Sequence, residues 1–306
     1  MKKRHAVMDL GTNTFHLLVA DVGDETFSVV HRDRRPVKLG KGGINAGLIT
    51  PEALDRAVAC MQEFSDACRR MDVQTIKAIG TSALRSASNS RVVTAAIREA
   101  TGIQVDVISG DQEAIYIYYG VQAAMDLGAI PSLIVDIGGG SVEFIIADSE
   151  TIFWKRSLEI GAQRMLELHH QHDPMLPAEI QSLLTHYEHS LVELEKAVTL
   201  WKPLTLVGSS GTFDTLSEIY CYQEGIPYRP TDPETPLTVE AFSRTHKELI
   251  TRDRASRMQI PGMIEMRVDM IVVASCLIDY LVQAFRFKKI RVSSYSLKEG
   301  VLNATL

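Results

Sequence analysis

Residues 6–21 read AVMDLGTNTFHLLVAD and residues 133–148 read LIVDIGGGSVEFIIAD, so one pattern occurs twice in this chain. The corresponding pairs are Asp9 with Asp136, Gly11 with Gly138, Thr14 with Ser141, His16 with Glu143, and Asp21 with Asp148. Each copy is an apolar run that ends in Asp, a turn of small residues and a second apolar run, which is the pattern of a β-hairpin. Such a turn offers backbone N–H groups and hydroxyls to phosphate oxygens, and the adjacent Asp can hold a divalent cation. The two copies predict two similar domains that face each other across a phosphate-binding cleft.

Composition is that of a globular protein with two domains. The chain has 306 residues, of which 45% are hydrophobic and 23% charged, and its formal net charge is −6. This length suits two cores of about 150 residues each. A broad basic surface for nucleic acid is not expected from an acidic chain. The four scattered cysteines predict buried free thiols in a reducing compartment, and the absence of a signal peptide or spanning segment predicts a cytoplasmic protein without membrane contact.

Strand and helix patterns alternate along the chain, which predicts an α/β layer structure. Thr50 and Pro51 open a helix that runs to about Met71, and Gly102 ends another over 89–101. In the second half, the pattern predicts one long helix over 177–199, a Pro-rich surface loop over 225–236 and a helix over 266–285. We place domain I at residues 1–123 and domain II at 124–297, with the C-terminal helix, about 298–306, packing back on domain I.

Seven stretches in order along the chain resemble the exopolyphosphatase and guanosine pentaphosphate phosphatase family of the actin-like ATPase superfamily. They are DLGTNTFHLLV (9–19), TSALRSASN (81–89), ISGDQEAIYIYYGV (108–121), DIGGGSVEF (136–144), SLEIGAQRM (157–165), GSSGT (208–212) and PGMIEMRVD (261–269). The resemblance implies two ribonuclease-H-like domains with a cleft between them. It also implies hydrolysis of a terminal phosphoanhydride by water, with Mg²⁺ or another divalent cation.

The two turns supply the candidate phosphate-binding residues. They are Thr12, Asn13 and Thr14 in the first turn, and Gly138, Gly139, Gly140 and Ser141 in the second. Three successive glycines let the backbone approach phosphate oxygens without obstruction by Cβ atoms. The alternative is an ordinary hairpin turn without a ligand.

Four acidic residues are candidates for catalysis or metal binding. Glu113 follows the Gly110 turn and corresponds to the family's water-activating glutamate, a general-base role; alternatively, it only complements a helix dipole. Asp136 is the leading metal ligand, with Asp9 as its counterpart in the first copy. Glu143 is a second catalytic or metal-binding carboxylate, unless it is a solvent-facing strand residue.

Further phosphate contacts are predicted outside the two turns. Arg85 matches the arginine of the family's T-S-A-L-R stretch and can contact phosphate in bidentate fashion, or it forms an interdomain salt bridge. Arg267 is a similar but weaker candidate. The strand-to-helix loop Gly208, Ser209, Ser210, Gly211 and Thr212 corresponds to a nucleotide-binding segment; it contacts further phosphates or a guanosine, or only caps a helix.

Inorganic polyphosphate is the leading predicted substrate, and the predicted activity is release of its terminal phosphate. The alternatives are a guanosine pentaphosphate 5′-phosphohydrolase, an actin-like-fold kinase, and a non-catalytic sensor of polyphosphate or a guanosine tetraphosphate or pentaphosphate. The residues do not rank the first two substrates, because no motif fixes the discriminating loops. They also leave the oligomeric state open, including a homodimer.

Overall fold

The computed structural model describes residues 3–23 and 26–304. Its strands form two sheets. The first sheet contains β1 (Lys3–Leu10), β2 (Phe15–Val22), β3 (Phe27–Arg35), β4 (Thr75–Gly80) and β5 (Val105–Val107). The second contains β6 (Ser132–Ile137), β7 (Val142–Ala147), β8 (Ile152–Leu158), β9 (Thr205–Ser209), β10 (Glu234–Thr235) and β11 (Ile290–Ser293). The strand orders are β3-β2-β1-β4-β5 and β10-β11-β9-β6-β7-β8.

The two sheets share one topology. In the first, β1 pairs with β2 and β2 with β3 as antiparallel neighbours, and β1 also pairs with β4 in parallel. In the second, β6, β7 and β8 repeat the antiparallel part, and β6 pairs with β9 in parallel. The repeated hairpin seen in the sequence is therefore the start of a repeated fold, and the predicted α/β architecture of two similar halves is confirmed. The domain boundaries at residues 123 and 124 stay a prediction.

Helices connect and cover the sheets. Those of the first half are α1 (Pro51–Arg70), α2 (Ser82–Ser86), α3 (Ser90–Thr101) and α4 (Gly110–Ala124). Those of the second half are α5 (Ala162–His169), α6 (Pro177–Ser190), α7 (Val192–Trp201), α8 (Ser210–Glu224), α9 (Val239–Thr251), α10 (Arg254–Arg257), α11 (Met270–Phe285) and α12 (Leu297–Asn303). A single 3₁₀ turn, Ile44–Ala46, lies in the loop before α1. Thr50 caps α1 by accepting a hydrogen bond from the Ala53 amide, as its sequence predicts.

Three elements differ from the sequence prediction. The helix expected over 177–199 is two helices that meet at Leu191, which is fully buried and no longer helical (ψ 6°). Neither Gly nor Pro marks this break, and Leu191 packs into the core where the two helices meet. The helix expected from 266 begins at Met270, and the surface loop over 225–236 contains the short strand β10.

The halves share a core around α4 and α12. Apolar side chains from both sheets, such as Val7, Ile79 and Ile134, form one buried cluster with α4 and α12. The C-terminal α12 packs closely on α4, while the predicted helical residues 305 and 306 lie outside the described residues. Among the helices of the described residues, none is both long and apolar enough to cross a membrane.

Candidate active site

The two hairpin turns meet at one pocket between the sheets. Residues from both turns line it, together with residues from α2, α4 and the segment before α12. The turns are close enough that a Cβ atom placed on Gly139 would lie 3.1 Å from Thr12 Cβ. A Cβ on Gly140 would lie 2.6 Å from Thr12 Oγ1 and would overlap the Ser82 hydroxyl, so glycine is required there. The predicted cleft therefore exists, with both turns on its wall.

Strand register aims four side chains at this pocket. Asp9 lies directly opposite His16 across the first hairpin, and Asp136 lies directly opposite Glu143 across the second. Directly opposite residues of an antiparallel pair point to the same face of a sheet. All four line the pocket. Glu143 is only 1% exposed, so it is not the solvent-facing strand residue considered as its alternative.

The N-terminus of α5 orients the glycine turn. The amides of Ala162 and Gln163 donate to the carbonyls of Gly138 and Gly139 at 2.9 and 2.8 Å, and the Gly161 amide donates to Gly140 at 3.1 Å. In a trans peptide the C=O and the following N–H point in opposite directions. Because these carbonyls face α5, the following N–H groups point away from α5. These are three successive donors, on residues 139–141, of the kind that bind phosphate oxygens.

The first turn is held in a similar way. Lys38 and Gly40 donate their amides to the carbonyls of Asn13 and Thr12 at 2.7 and 2.8 Å. The hydroxyls of Thr12 and Thr14 are buried and have no hydrogen-bond partner in the described part of the chain. A buried hydroxyl without a partner is costly, so a ligand with oxygen atoms would stabilise this turn.

Burial of several carboxylates gives the pocket its electrostatic character. Burial raises the pKa of Asp9 to about 7, although the Lys298 cation acts in the opposite direction. Burial, followed by the charges of Glu113 and Asp136, raises the pKa of Glu143 well above its usual range. These carboxylates repel one another in a low-dielectric site, which favours a bound cation.

Two serine hydroxyls hold Asp136. Ser209 donates to its Oδ2 at 3.1 Å and Ser210 to its Oδ1 at 2.7 Å. Burial raises the pKa of Asp136, and these two hydrogen bonds oppose that rise. Ser210 has a left-handed backbone (φ +74°), a conformation that costs a non-glycine residue about 1–2 kcal/mol.

Glu113 and Arg85 form a pair beside the second turn. Glu113 is the fourth residue of α4, and its side chain is almost fully buried. Arg85 Nη1 donates to Glu113 Oε2 at 2.8 Å, and Arg85 Nη2 lies 3.4 Å from the Ser141 hydroxyl and 3.3 Å from Glu159 Oε1. Burial raises the pKa of Glu113 to about 7 against the opposing effect of Arg85. Arg85 is not among the residues that line the pocket. Its contact with Glu159 is the salt bridge between the two halves that the sequence left as an alternative.

The donor set of the pocket suits a hard divalent cation. Its oxygen donors are carboxylates and hydroxyls, which Mg²⁺ and similar ions prefer. Within residues 3–23 and 26–304, no three His, Cys, Asp or Glu side chains converge as a complete metal site. Mg²⁺ commonly uses only one or two carboxylates and takes its other ligands from water and substrate phosphates. The pocket fits that kind of binding rather than a cage built by Asp9, Asp136 and Glu143 together.

The segment 208–212 needs correction as a phosphate-binding loop. Only Ser210 of its five residues lines the pocket. The Phe213 ring covers Gly208, and Gly211 and Thr212 lie inside α8 rather than in a loop. Gly211 packs under the guanidinium of Arg267, which does line the pocket. Within this segment, Ser209 and Ser210 hold Asp136, and Gly211 packs under Arg267.

Three residues near the site were not assigned a role from sequence. Ser82 lines the pocket, and its hydroxyl donates to Glu159 at 2.7 Å. Arg164 donates to the same Glu159 carboxylate at 2.7 Å. Both Glu159 and Arg164 lie in the stretch 157–165 that carried the family resemblance, so the signal was present without a predicted partner.

Two similar hairpins, one from each sheet of an actin-like fold, line one pocket whose hydroxyl, amide and carboxylate groups suit a phosphate and a cation. The solved structure of an exopolyphosphatase from Cytophaga hutchinsonii superposes with a TM-score of 0.96 at 42% identity, covering 99% of this chain and 97% of that one. The sequence profile of the Ppx/GppA phosphatase family matches residues 18–306, and the chain belongs to this family.

Two curated relatives carry different names. A candidate exopolyphosphatase of Haemophilus influenzae is 26% identical over 97% of this chain and 90% of its own length. A guanosine-5′-triphosphate,3′-diphosphate pyrophosphatase of Pseudoalteromonas translucida is 29% identical over the whole of this chain. The chain spans only 60% of the length of that second relative.

Proposed function

We propose that the protein is an exopolyphosphatase-type hydrolase that releases the terminal phosphate of inorganic polyphosphate by attack of water. The observation that carries this proposal is the convergence of two donor-rich turns, one from each sheet, on a pocket that also contains Glu113. Phosphoanhydride hydrolysis needs a positioned phosphoryl group, charge neutralisation and an oriented water. The pocket contains a group for each of these tasks.

In the proposed reaction, the terminal phosphoryl group lies between the turns. The amides of residues 139–141 and the hydroxyls of Thr12 and Thr14 bind its oxygens. Glu113 accepts a proton from a water molecule as the water oxygen attacks the terminal phosphorus. The bond to the bridging oxygen breaks, and that oxygen leaves with the shortened chain. Arg85 holds Glu113 in place and favours its ionised form.

A divalent cation fits this proposal. Asp136, with Asp9 or Glu143 and substrate oxygens, would hold it, and it would neutralise charge on the phosphates and the leaving oxygen. Mg²⁺ is the cation we propose. The buried free cysteines are consistent with a reducing cytoplasmic compartment.

Guanosine pentaphosphate is the second candidate substrate. A cavity of about 850 Å³ adjoins the pocket and shares His16 with it. Tyr222, Tyr228 and Asp214 are among its lining residues. Aromatic faces and a carboxylate are groups that can stack on a purine and accept hydrogen bonds from a guanine edge.

A substrate panel tests both proposals. Phosphate release is measured with short and long polyphosphate and with guanosine pentaphosphate, each with Mg²⁺ and with EDTA. We expect Mg²⁺-dependent release from polyphosphate, one phosphate at a time. A clear preference for guanosine pentaphosphate would select the second candidate. No phosphate release from any of these substrates would overturn both.

A further inference from the structure

The two hairpin turns of the pocket, residues 12–14 and 138–141, are the phosphate turns. Each accepts hydrogen bonds from an element that does not line the pocket. The loop 38–47 donates amides to the carbonyls of Thr12 and Asn13, and the start of α5 donates amides to the glycine turn. The position of one turn relative to the other therefore depends on how this loop and α5 are connected.

Arg164 of α5 makes that connection. Its Nε donates to the Gly140 carbonyl at 3.2 Å, and its Nη1 donates to the Ile44 carbonyl at 2.9 Å. Its Nη2 donates to Glu159 Oε2 at 2.7 Å. The Arg164 side chain is only 13% exposed, and its hydrogen bonds to the two carbonyls are partly buried. Glu159 is 43% exposed, so the hydrogen bond to its carboxylate is more open to water.

Glu159 and Glu167 extend the connection. Glu159 also accepts hydrogen bonds from Ser82 and Arg85, and Arg85 in turn donates to Glu113. Glu167, three residues after Arg164, accepts from the Gly42 amide at 3.0 Å. We call Arg164, Glu159, Glu167 and the loop 38–47 the clasp.

We propose that Arg164 is a positioning residue of the phosphatase reaction: through the clasp, it sets the spacing of the two phosphate turns and the orientation of Arg85 against Glu113. This inference rests on the proposed function. Each of the three guanidinium nitrogens donates to a different acceptor. A lysine ammonium is a single compact charge and lacks this planar, forked arrangement of donors. Without Arg164, the Glu159 carboxylate keeps Arg85 as its nearest cation and draws it away from Glu113.

The effect should fall on turnover more than on substrate binding. The amides that aim the glycine turn come from the α5 backbone and survive a change of the Arg164 side chain. Misplacement of a reacting group by a fraction of an ångström is costly, and removing a supporting side chain commonly costs about 10–100-fold in activity. We therefore expect Arg164→Met to lower kcat by about 10–100-fold with a much smaller change in KM. Arg164→Lys should recover little of it.

The experiment measures kcat, KM and the folded fraction for wild type, Arg164→Met, Arg164→Lys, Glu159→Gln and the double variant Arg164→Met/Glu159→Gln. Arg156→Met is the matched control, because Arg156 is an exposed arginine on β8 whose nearest acidic partner is Glu193 at 3.9 Å. The control should keep wild-type kinetics. If Arg164 and Glu159 act through one network, the double variant should be hardly slower than the slower single variant.

The outcomes separate this inference from the proposed function. Wild-type kcat in both Arg164 variants, fully additive losses, or a loss that disappears when rates are expressed per folded molecule would each overturn the role of Arg164. In those cases wild-type phosphate release still supports the proposed function. A wild-type protein without phosphate release would overturn the proposed function itself.

Discussion

At the scale of single residues, burial raises the pKa of Glu113 and Arg85 opposes that rise. Burial alone makes the Glu113 carboxylate hard to ionise, and the guanidinium 2.8 Å away stabilises the ionised form. A general base must be ionised before it can accept a proton from water. The reaction rate should therefore rise with pH as Glu113 loses its proton, near its pKa of about 7.

Arg85→Gln should move this rise to higher pH. The substitution removes the cation that lowers the pKa of Glu113, so a higher pH is needed to ionise the base. The measurement is kcat/KM for phosphate release against pH, for both proteins in the same buffer and at the same Mg²⁺ concentration. Arg98→Gln is the control, since Arg98 is exposed on α3. An unchanged profile, or a shift to lower pH, would contradict the role given to Arg85.

The sequence predicted the residues that line the pocket better than the residues that hold them in place through hydrogen bonds. The two turns, Glu113, Asp136, Glu143 and Arg267 all reach the pocket. Their positions follow from the repeated hairpin and from the family stretches. Glu159 and Arg164 were missed because their importance lies in hydrogen bonds to residues about 75 and 120 positions away, and no local pattern specifies such partners.

At the scale of elements, α4 and α12 show what local pattern cannot supply. Each helix contains a glycine, a residue of low helix propensity: Gly120 in α4 and Gly300 in α12. In the structure these glycines let the two helices touch: a Cβ on Gly300 would overlap the Tyr116 carbonyl and lie 2.8 Å from the Gly120 amide nitrogen. The same limit applies to the break at Leu191, where the local sequence has neither Gly nor Pro and the side chain is part of the core.

Gly300→Ala should therefore destabilise the protein. The added methyl group meets backbone atoms that cannot rotate away, and overpacking of this kind costs about 1–3 kcal/mol. The measurement is the thermal unfolding midpoint, which should fall. Gly23→Ala is the control, because the added Cβ atom would lie at an ordinary van der Waals distance, 3.5 Å, from the Thr26 carbonyl oxygen. Equal midpoints for the two variants would show that α12 can move without cost.

At the scale of the whole molecule, we expect the buried carboxylates of the site to lower stability at neutral pH. Burial raises the pKa of Asp9 and Glu113 to about 7, and it raises the pKa of Glu143 well above its usual range. Such groups bind more protons in the folded than in the unfolded chain, so their contribution to stability is lost as pH rises through the folded pKa. Desolvation lowers the pKa of His16, and this shift acts in the opposite direction.

Comparing Glu143→Gln with wild type removes the effect of the histidines from this prediction. The variant cannot ionise at position 143, whereas wild type loses stability as pH rises because its buried Glu143 resists ionisation. The melting temperature of the variant minus that of wild type should therefore increase between pH 5 and pH 8. Thermal melts of both proteins in EDTA measure this difference. A constant difference across this range, or one that shrinks as pH rises, would show that burial of Glu143 carries no such cost.

The most direct test of the proposed chemistry is phosphate release by Glu113→Gln. Glutamine keeps the size and shape of the side chain and can remain beside Arg85, but it cannot accept the proton from water. We expect polyphosphate binding and the folded fraction to be retained, while phosphate release falls by about 10²–10⁴-fold. A Glu113→Gln protein that releases phosphate at the wild-type rate would contradict the account.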